Sequence, residues 1–340
     1  MKAVRHRFQS TRLSASRDAS PGICGTATRS LCLSAKPTLE ELLEVQEHFG
    51  LPSPALVEKD WHVVKALAAV TSVDPGEFRL VFGGGTALSR AYKLTKRMSE
   101  DVDLKIVCNT NPSRGALRRL RTDITYALLA AGFEFEPDDE RYRVSMYKGH
   151  YTKYMLPYKA LAQGKGLRPD VQLETSVWPL RRDAVDKPVI SFVEEAYGRA
   201  PEVQSIACSS VLETAAEKLV ALTWRAGSEL AGLREERDPT LVRHIYDLHM
   251  TRDQYDVAET AALAHEVMKA DAETRGARFP AWKNDPLGET LRAIEGIPKD
   301  KVFVDGYSDF QRDMVYGDKP DFTTAMTSLT ALADQLKKLK

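Results

Sequence analysis

The chain has 340 residues, 43% of them hydrophobic and 28% charged, with 48 basic and 48 acidic side chains. That balance excludes a disordered or fibrous chain, and the length allows two modest domains or one core with a large appendage. No apolar run approaches the ~18 residues a membrane span needs, and Cys24, Cys32, Cys108 and Cys208 lack C-x-x-C spacing, so neither a zinc site nor a disulfide framework is expected and the chain reads as a reduced, cytoplasmic protein.

Residues 1–36 hold seven basic side chains against one acidic, Asp18, so the rest of the chain is net acidic. This Ser-, Arg- and Gly-rich segment has no helical or strand period and too little apolar surface to order itself. It fits a disordered basic tail, or a start codon placed too far upstream, better than the organelle transit peptide it superficially resembles.

Order begins near Pro37. Thr38 and Glu41 form a capping-box pair that predicts a short helix, and Ser53-Pro54 opens a second, with Leu56, Val63, Val64, Leu67 and Val70 at helical spacing. Phe78–Phe82 is a β-prone run ending on three glycines. Ala87–Tyr92 suits a helix, Asp101–Val107 a strand, and Pro112–Ala131 a helix stopped by Gly132. Arg141–Tyr147, Tyr151–Leu156 and Val171–Val177 follow as strands between Gly- and Pro-containing turns. From about Ser191 the pattern is helical to the end, clearest over Val211–Arg225, Pro239–Met250, Val257–Ala270 and Thr323–Leu339. The order predicts an α+β domain with a mixed sheet over 37–190 and an α-helical domain over 191–340.

Gly83-Gly84-Gly85-Thr86 falls between a predicted strand and a predicted helix. Glycine allows positive φ and close backbone approach, so successive amides can point at an anion, and the helix N-terminus adds partial positive charge. Alone, such a turn is more often only a turn. Asp101-Val102-Asp103 adds weight, because side chains at i and i+2 of a strand share one face. Two adjacent carboxylates there are costly unless paired or bound to cations, and two Mg²⁺ ions would offset their repulsion. A third carboxylate is expected from a neighbouring strand. Asp170, Gln172 and Glu174 share one face, with Glu174 the choice for a metal ligand and Asp170 the runner-up.

Taken together, Gly84-Gly85-Thr86-Ala87-Leu88 and Arg97-Met98-Ser99-Glu100-Asp101-Val102-Asp103-Leu104 resemble the AbiEii/AbiGii toxins of type IV toxin–antitoxin and abortive-infection systems. These lie within the polymerase-β-like nucleotidyltransferase superfamily. Val57–Trp61 resembles that family's N-terminal helix signature, Glu213–Leu222 its lysine motif, and Arg243–Leu248 its Arg-and-Asp motif. The likeness spans roughly residues 54–250. The superfamily's usual Gly-Ser is Gly-Gly-Thr here, which moves phosphate contact to backbone amides or Thr86.

The resemblance implies a polymerase-β-like core, Mg²⁺ held by Asp101 and Asp103, nucleotide phosphates contacted by Lys218, and Asp247 supporting the site. Gly84, Gly85, Thr86, Ser99, Lys218 and Arg225 are the candidate nucleotide-binding set, with Lys218, Leu222 and Arg225 on one helical face. Asp247 needs a partner, which Arg243, Arg225 or Lys218 can supply. His244 and His249 read as structural or exposed, and Ser99 as a strand cap or a hydroxyl open to modification. The resemblance further implies an NTP substrate, a tRNA 3′ end as acceptor, a cognate antitoxin and a monomer. Lys93, Lys96 and Arg97, the set Arg114, Arg118, Arg119 and Arg121, and the aromatics Tyr151 and Tyr154 are the candidate RNA contacts. Transfer to a protein or small-molecule hydroxyl, or a non-catalytic role in a toxin–antitoxin complex, are the alternatives.

Overall fold

The Thr38 hydroxyl accepts the Glu41 amide while the Glu41 carboxylate accepts the Thr38 amide, and the capping box opens α1, Leu39–Phe49. The computed structural model describes residues 35–164 and 166–339, so the expectations for the basic tail, with Cys24 and Cys32, lie outside the described residues. Ser53 caps α2, Pro54–Thr71, which carries Pro in its first turn. Gly50, at the end of α1, takes the left-handed conformation that terminates the helix.

The sheet follows. Strands β1 (Arg79–Gly83), β2 (Asp101–Val107), β3 (Arg143–Met146), β4 (Tyr151–Pro157), β5 (Asp170–Val177), β6 (Val185–Val189) and β7 (Val203–Cys208) form one mixed seven-stranded sheet in the order β3-β4-β5-β2-β1-β7-β6. β2 is antiparallel to β1 and parallel to β5. Between β1 and β2, residues Gly84–Thr86 (α3) start a helix that widens into a π-helical stretch, Ala87–Ala91. β7 lies beyond residue 191, where the sequence pattern reads as helical. Its six residues follow a short helix, α5 (Phe192–Ala196), and pair in parallel with β1, so the helical part of the chain begins only after Cys208.

The two faces of the sheet differ in kind. Val102, Leu104, Ile106, Tyr154, Leu156, Val171 and Leu173 pack with α2 and with α4 (Arg114–Ala130) in one core. The opposite face shows Asp101, Asp103 and Lys105, and there the helix α6 (Val211–Leu230) lies across β2. Beyond α6 come α7 (Val242–Met250), α8 (Val257–Arg275), α9 (Pro280–Asn284), α10 (Pro286–Gly296), α11 (Lys301–Met314) and α12 (Phe322–Lys337), gathered around a second core that includes Leu219, Leu222, Tyr246, Trp282 and Leu329. The chain returns to the sheet after α11: Met98 N–H donates to Met314 C=O, Tyr316 N–H donates to Lys96 C=O, and Arg97 bridges Val315. The α+β class with a mixed sheet and a following helical part is therefore as expected. Among the described residues no helix is long and apolar enough to cross a membrane.

Candidate active site

The outward face of β2 is a run of alternating charge, Asp101, Asp103 and Lys105, and α6 answers it. Lys105 Nζ reaches Glu213 Oε1 (2.9 Å) and Glu217 Oε1 (2.7 Å). Glu213 also accepts the backbone amides of Arg181 and Arg182. These contacts pin the first turns of α6 to the middle of β2 and set Lys218, one residue past Glu217, beside the carboxylates. Burial pushes the Asp103 carboxyl up, the charges of Asp101 and Glu174 push it further, and Lys218 and Arg243 only partly compensate, leaving it at about 7.

The glycine turn lies directly over this pair. Gly83 is the register partner of Asp103 across β1 and β2. Gly84 has φ +71, and a Cβ there would fall on the Asp103 carboxylate; one on Gly85 would strike the Arg97 guanidinium and Ser99 Oγ. The glycines are thus required by close packing against the site. Thr86 is buried, its hydroxyl donating to Asp101 C=O (2.5 Å) and sharing a hydrogen bond with Ser99 Oγ (2.9 Å). That engages the Thr86 hydroxyl in tying the turn to the start of β2.

Glu174 is the register partner of Asp103 on β5, whereas Asp170 pairs at the far end of that strand with Pro157. Glu174 is 3.6 Å from Lys153 Nζ and accepts a hydrogen bond from Tyr151. Among the described residues no three His, Cys, Asp or Glu side chains stand together so as to ligate one ion. The donor set is therefore two carboxylates with a third beside them. It fits a hard cation that takes one or two carboxylates and completes its shell with water and phosphate oxygens, as Mg²⁺ does, and does not fit a closed three-carboxylate cage.

Asp247 on α7 is fully buried and holds two cations. Arg97 donates to it through Nε (2.6 Å) and Nη2 (2.7 Å), and Lys218 Nζ lies 2.7 Å away. Burial would raise this carboxyl, but Arg97 and then Lys218 overcome it and hold the group well below the usual carboxylate range. Lys218 in turn is pulled down by burial and held up in part by Asp247. Asp247 thereby orients Lys218, and its second partner is the residue that sequence reasoning misplaced. Arg97 was expected among exposed RNA contacts with Lys93 and Lys96, yet it is 2% exposed. A basic residue in the polar run Lys93–Asp103 gives no local sign of burial, and only pairing across the fold reveals it.

Arg225 lies on the same helix as Lys218 but pairs with Asp238 (3.4 Å). His244, one helical turn before Asp247 and placed among Lys218, Arg225 and Arg243, has both ring nitrogens buried without a hydrogen-bond partner; burial first and those cations second keep it neutral. His249 shares a hydrogen bond with Ser328 (3.0 Å) and is structural. Two arginines flank the carboxylates: Arg168, from the loop before β5, bonds Asp101 Oδ1, and Arg243 Nη2 lies 3.9 Å from Asp101 Oδ2. The RNA candidates separate. Tyr154 is wholly buried in the core against Thr125. Arg114, Arg118 and Arg119 are exposed, but on α4, which covers the opposite face of the sheet from Asp101 and Asp103. Tyr151 and Lys153 sit beside Glu174 on the carboxylate face. Cys108 and Cys208 are free thiols.

The family model described as nucleotidyl transferase AbiEii toxin, type IV toxin–antitoxin system, matches residues 65–328. Among solved structures, MenT4, a nucleotidyltransferase toxin from Mycobacterium tuberculosis, aligns with a TM-score of 0.47 at 17% identity, covering 88% of this chain and 90% of that one. No curated protein matches the chain.

Proposed function

Because the chain belongs to the AbiEii nucleotidyltransferase toxin family of type IV toxin–antitoxin systems, we propose that it transfers a nucleoside monophosphate from an NTP to an RNA hydroxyl, the 3′ end of a tRNA. In this reaction a bond forms between the acceptor oxygen and the α-phosphorus. The bond to the β-phosphate oxygen breaks, pyrophosphate leaves, and the acceptor proton is released. Blocking tRNA ends would stop aminoacylation and growth, and a cognate antitoxin would restrain it.

The observation that carries this reading is the Asp101–Asp103 pair, with the Gly84–Gly85 turn on one side and Lys218 on the other. Asp101 and Asp103 would hold divalent metal, Mg²⁺ by its preference for oxygen, with Glu174 supporting Asp103 from the next strand. Bound there, the metal would supply charge neutralisation for the phosphates and activation of the attacking hydroxyl. The turn's backbone amides and Lys218 bind the nucleotide phosphates, and Asp247 positions Lys218 through their 2.7 Å contact. Tyr151 and Lys153, on the same face, offer the acceptor a stacking surface and a phosphate contact. The tRNA itself comes from the family resemblance and from no contact in this chain.

The test is incubation with each of four α-labelled NTPs, Mg²⁺ and total tRNA, with Asp101→Ala alongside. Label on tRNA that disappears in the variant supports the reading. Label on protein or a small molecule with none on RNA would overturn the acceptor. Toxicity that survives Asp101→Ala would overturn nucleotidyl transfer as its cause.

A further inference from the structure

Arg168 covers Asp101 before any ligand arrives. Its Nη2 bonds Asp101 Oδ1, and its Nη1 donates to Gln172 Oε1 (2.9 Å). The backbone of the same residue is clamped from both sides. Its N–H donates to Glu100 Oε2 (2.9 Å) and its C=O accepts from Lys59 Nζ (2.8 Å), while Lys59 and Glu100, both buried, stand 3.3 Å apart. The loop is thus anchored through its backbone, and of the guanidinium only Nε, 3.9 Å from Glu100 Oε2, faces that anchor, so the two outer nitrogens can change partner without the loop moving. Arg168 Nε, buried and without a hydrogen-bond partner, shows that the present arrangement leaves the guanidinium incompletely satisfied.

A guanidinium on Asp101 competes with a metal ion for the same oxygen and repels it. A triphosphate reverses the balance, since it offers Arg168 several anionic oxygens and more charge than one carboxylate, in an arrangement its planar fork binds bidentately. Resting on the reading of Asp101 as a metal ligand, we propose that Arg168 is an exchangeable counter-ion. It neutralises Asp101 in the free protein and moves onto the nucleotide phosphates when they bind, so that metal and triphosphate enter together and free metal binds weakly. Arg168 is then a nucleotide-positioning residue, supplied by the β4–β5 loop and held in reach by Lys59 and Glu100.

Titration with Mn²⁺, read as free-ion signal by electron paramagnetic resonance, tests this without turnover. Wild type, Arg168→Gln, Arg168→Lys and Asp101→Asn are each titrated with Mn²⁺ alone and with Mn²⁺ plus inorganic tripolyphosphate. Arg168→Gln should bind Mn²⁺ alone on the order of tenfold more tightly than wild type. Tripolyphosphate should strengthen Mn²⁺ binding in wild type by more than in that variant. Arg168→Lys, which keeps the charge, should bind Mn²⁺ alone much as wild type does, and Arg168→Ala repeats the charge-removing arm if the Gln variant does not fold. Should Arg168→Gln bind Mn²⁺ no more tightly, or Arg168→Lys tighten it to a similar degree, the exchange is overturned while Asp101 stands as ligand. Should Asp101→Asn bind Mn²⁺ as wild type does, the metal reading of Asp101 fails first and takes the exchange with it.

Discussion

Asp247 and Arg97, 150 residues apart in sequence, meet in a buried bidentate ion pair at 2.6 and 2.7 Å. Through it the segment that leads into β2 is fastened to the helical half, and Lys218 is fastened to both.

Asp247→Asn should therefore cost stability as well as activity, because it leaves Arg97 and Lys218 as buried cations with no counter-charge, a loss of about 3–5 kcal/mol. The Asp247 carboxyl titrates lower in the fold than in the unfolded chain. Its contribution is present above the unfolded carboxylate range, near pH ~3.9, and is lost as pH falls toward the folded value. Urea unfolding of wild type and variant should show a wide gap at pH 7 that narrows below pH ~4. A gap independent of pH would mean that the charge is not the cause.

Asp103 has the opposite sign. Its folded pKa, about 7, lies above the unfolded value, so the fold favours the protonated form and loses stability as pH rises from the unfolded pKa through 7. In chelator, Asp103→Asn should raise the melting temperature at pH 8 by about 2–5 °C and change it little at pH 4. The same variant should lower transfer on the order of a thousandfold. Equal thermal effects at both pH values would contradict the placement of this carboxyl.

Gly84→Ala combines a left-handed φ with a Cβ placed on the Asp103 carboxylate. We expect a loss of about 1–3 kcal/mol and a collapse of transfer. Gly76 has a similar φ, +61, with open space around it, so Gly76→Ala should cost only about 1–2 kcal/mol and leave the transfer rate alone. Thermal melts and a labelled-NTP assay on the pair separate strain from obstruction of the site.

The sheet's two faces predict which basic residues matter for the acceptor. Changing Arg114, Arg118 and Arg119 together to Glu should leave transfer to RNA within about twofold, since α4 is on the far face. Lys153→Glu should raise the KM for RNA and reduce its salt dependence by a slope of about one. An acceptor KM that responds to the α4 set and not to Lys153 would reverse that assignment.

Features with a local cause were legible in the sequence. The Thr38–Glu41 box, the strand Asp101–Val107 and the Gly132 stop, at φ +82, need only neighbours within a few residues. The shared face of Asp101 and Asp103 follows from strand period alone, as does that of Asp170, Gln172 and Glu174, but the pairing that sets Glu174 opposite Asp103 does not. Relations across the fold were not legible. Nothing near Arg97 marks it as the partner of Asp247, and nothing in Thr86 marks its hydroxyl as tied to Asp101 C=O. β7 was hidden because six residues after a short helix carry too little pattern to announce a strand that its pairing with β1 supports. Arg168 stands in a loop before a proline, where charge ordinarily means solvent.

The return of Met314-Val315-Tyr316 to the backbone of Lys96-Arg97-Met98 also has a consequence for synthesis. The segment that carries Arg97 finds this partner only after α11, beyond most of the helical part of the chain. A ribosome reading the message makes the glycine turn, both aspartates, Lys218 and Asp247 well before it makes the residues that close the seam beside them. A chain translated only as far as α7 thus holds these residues without the brace that Val315 and Tyr316 supply to Lys96 and Arg97.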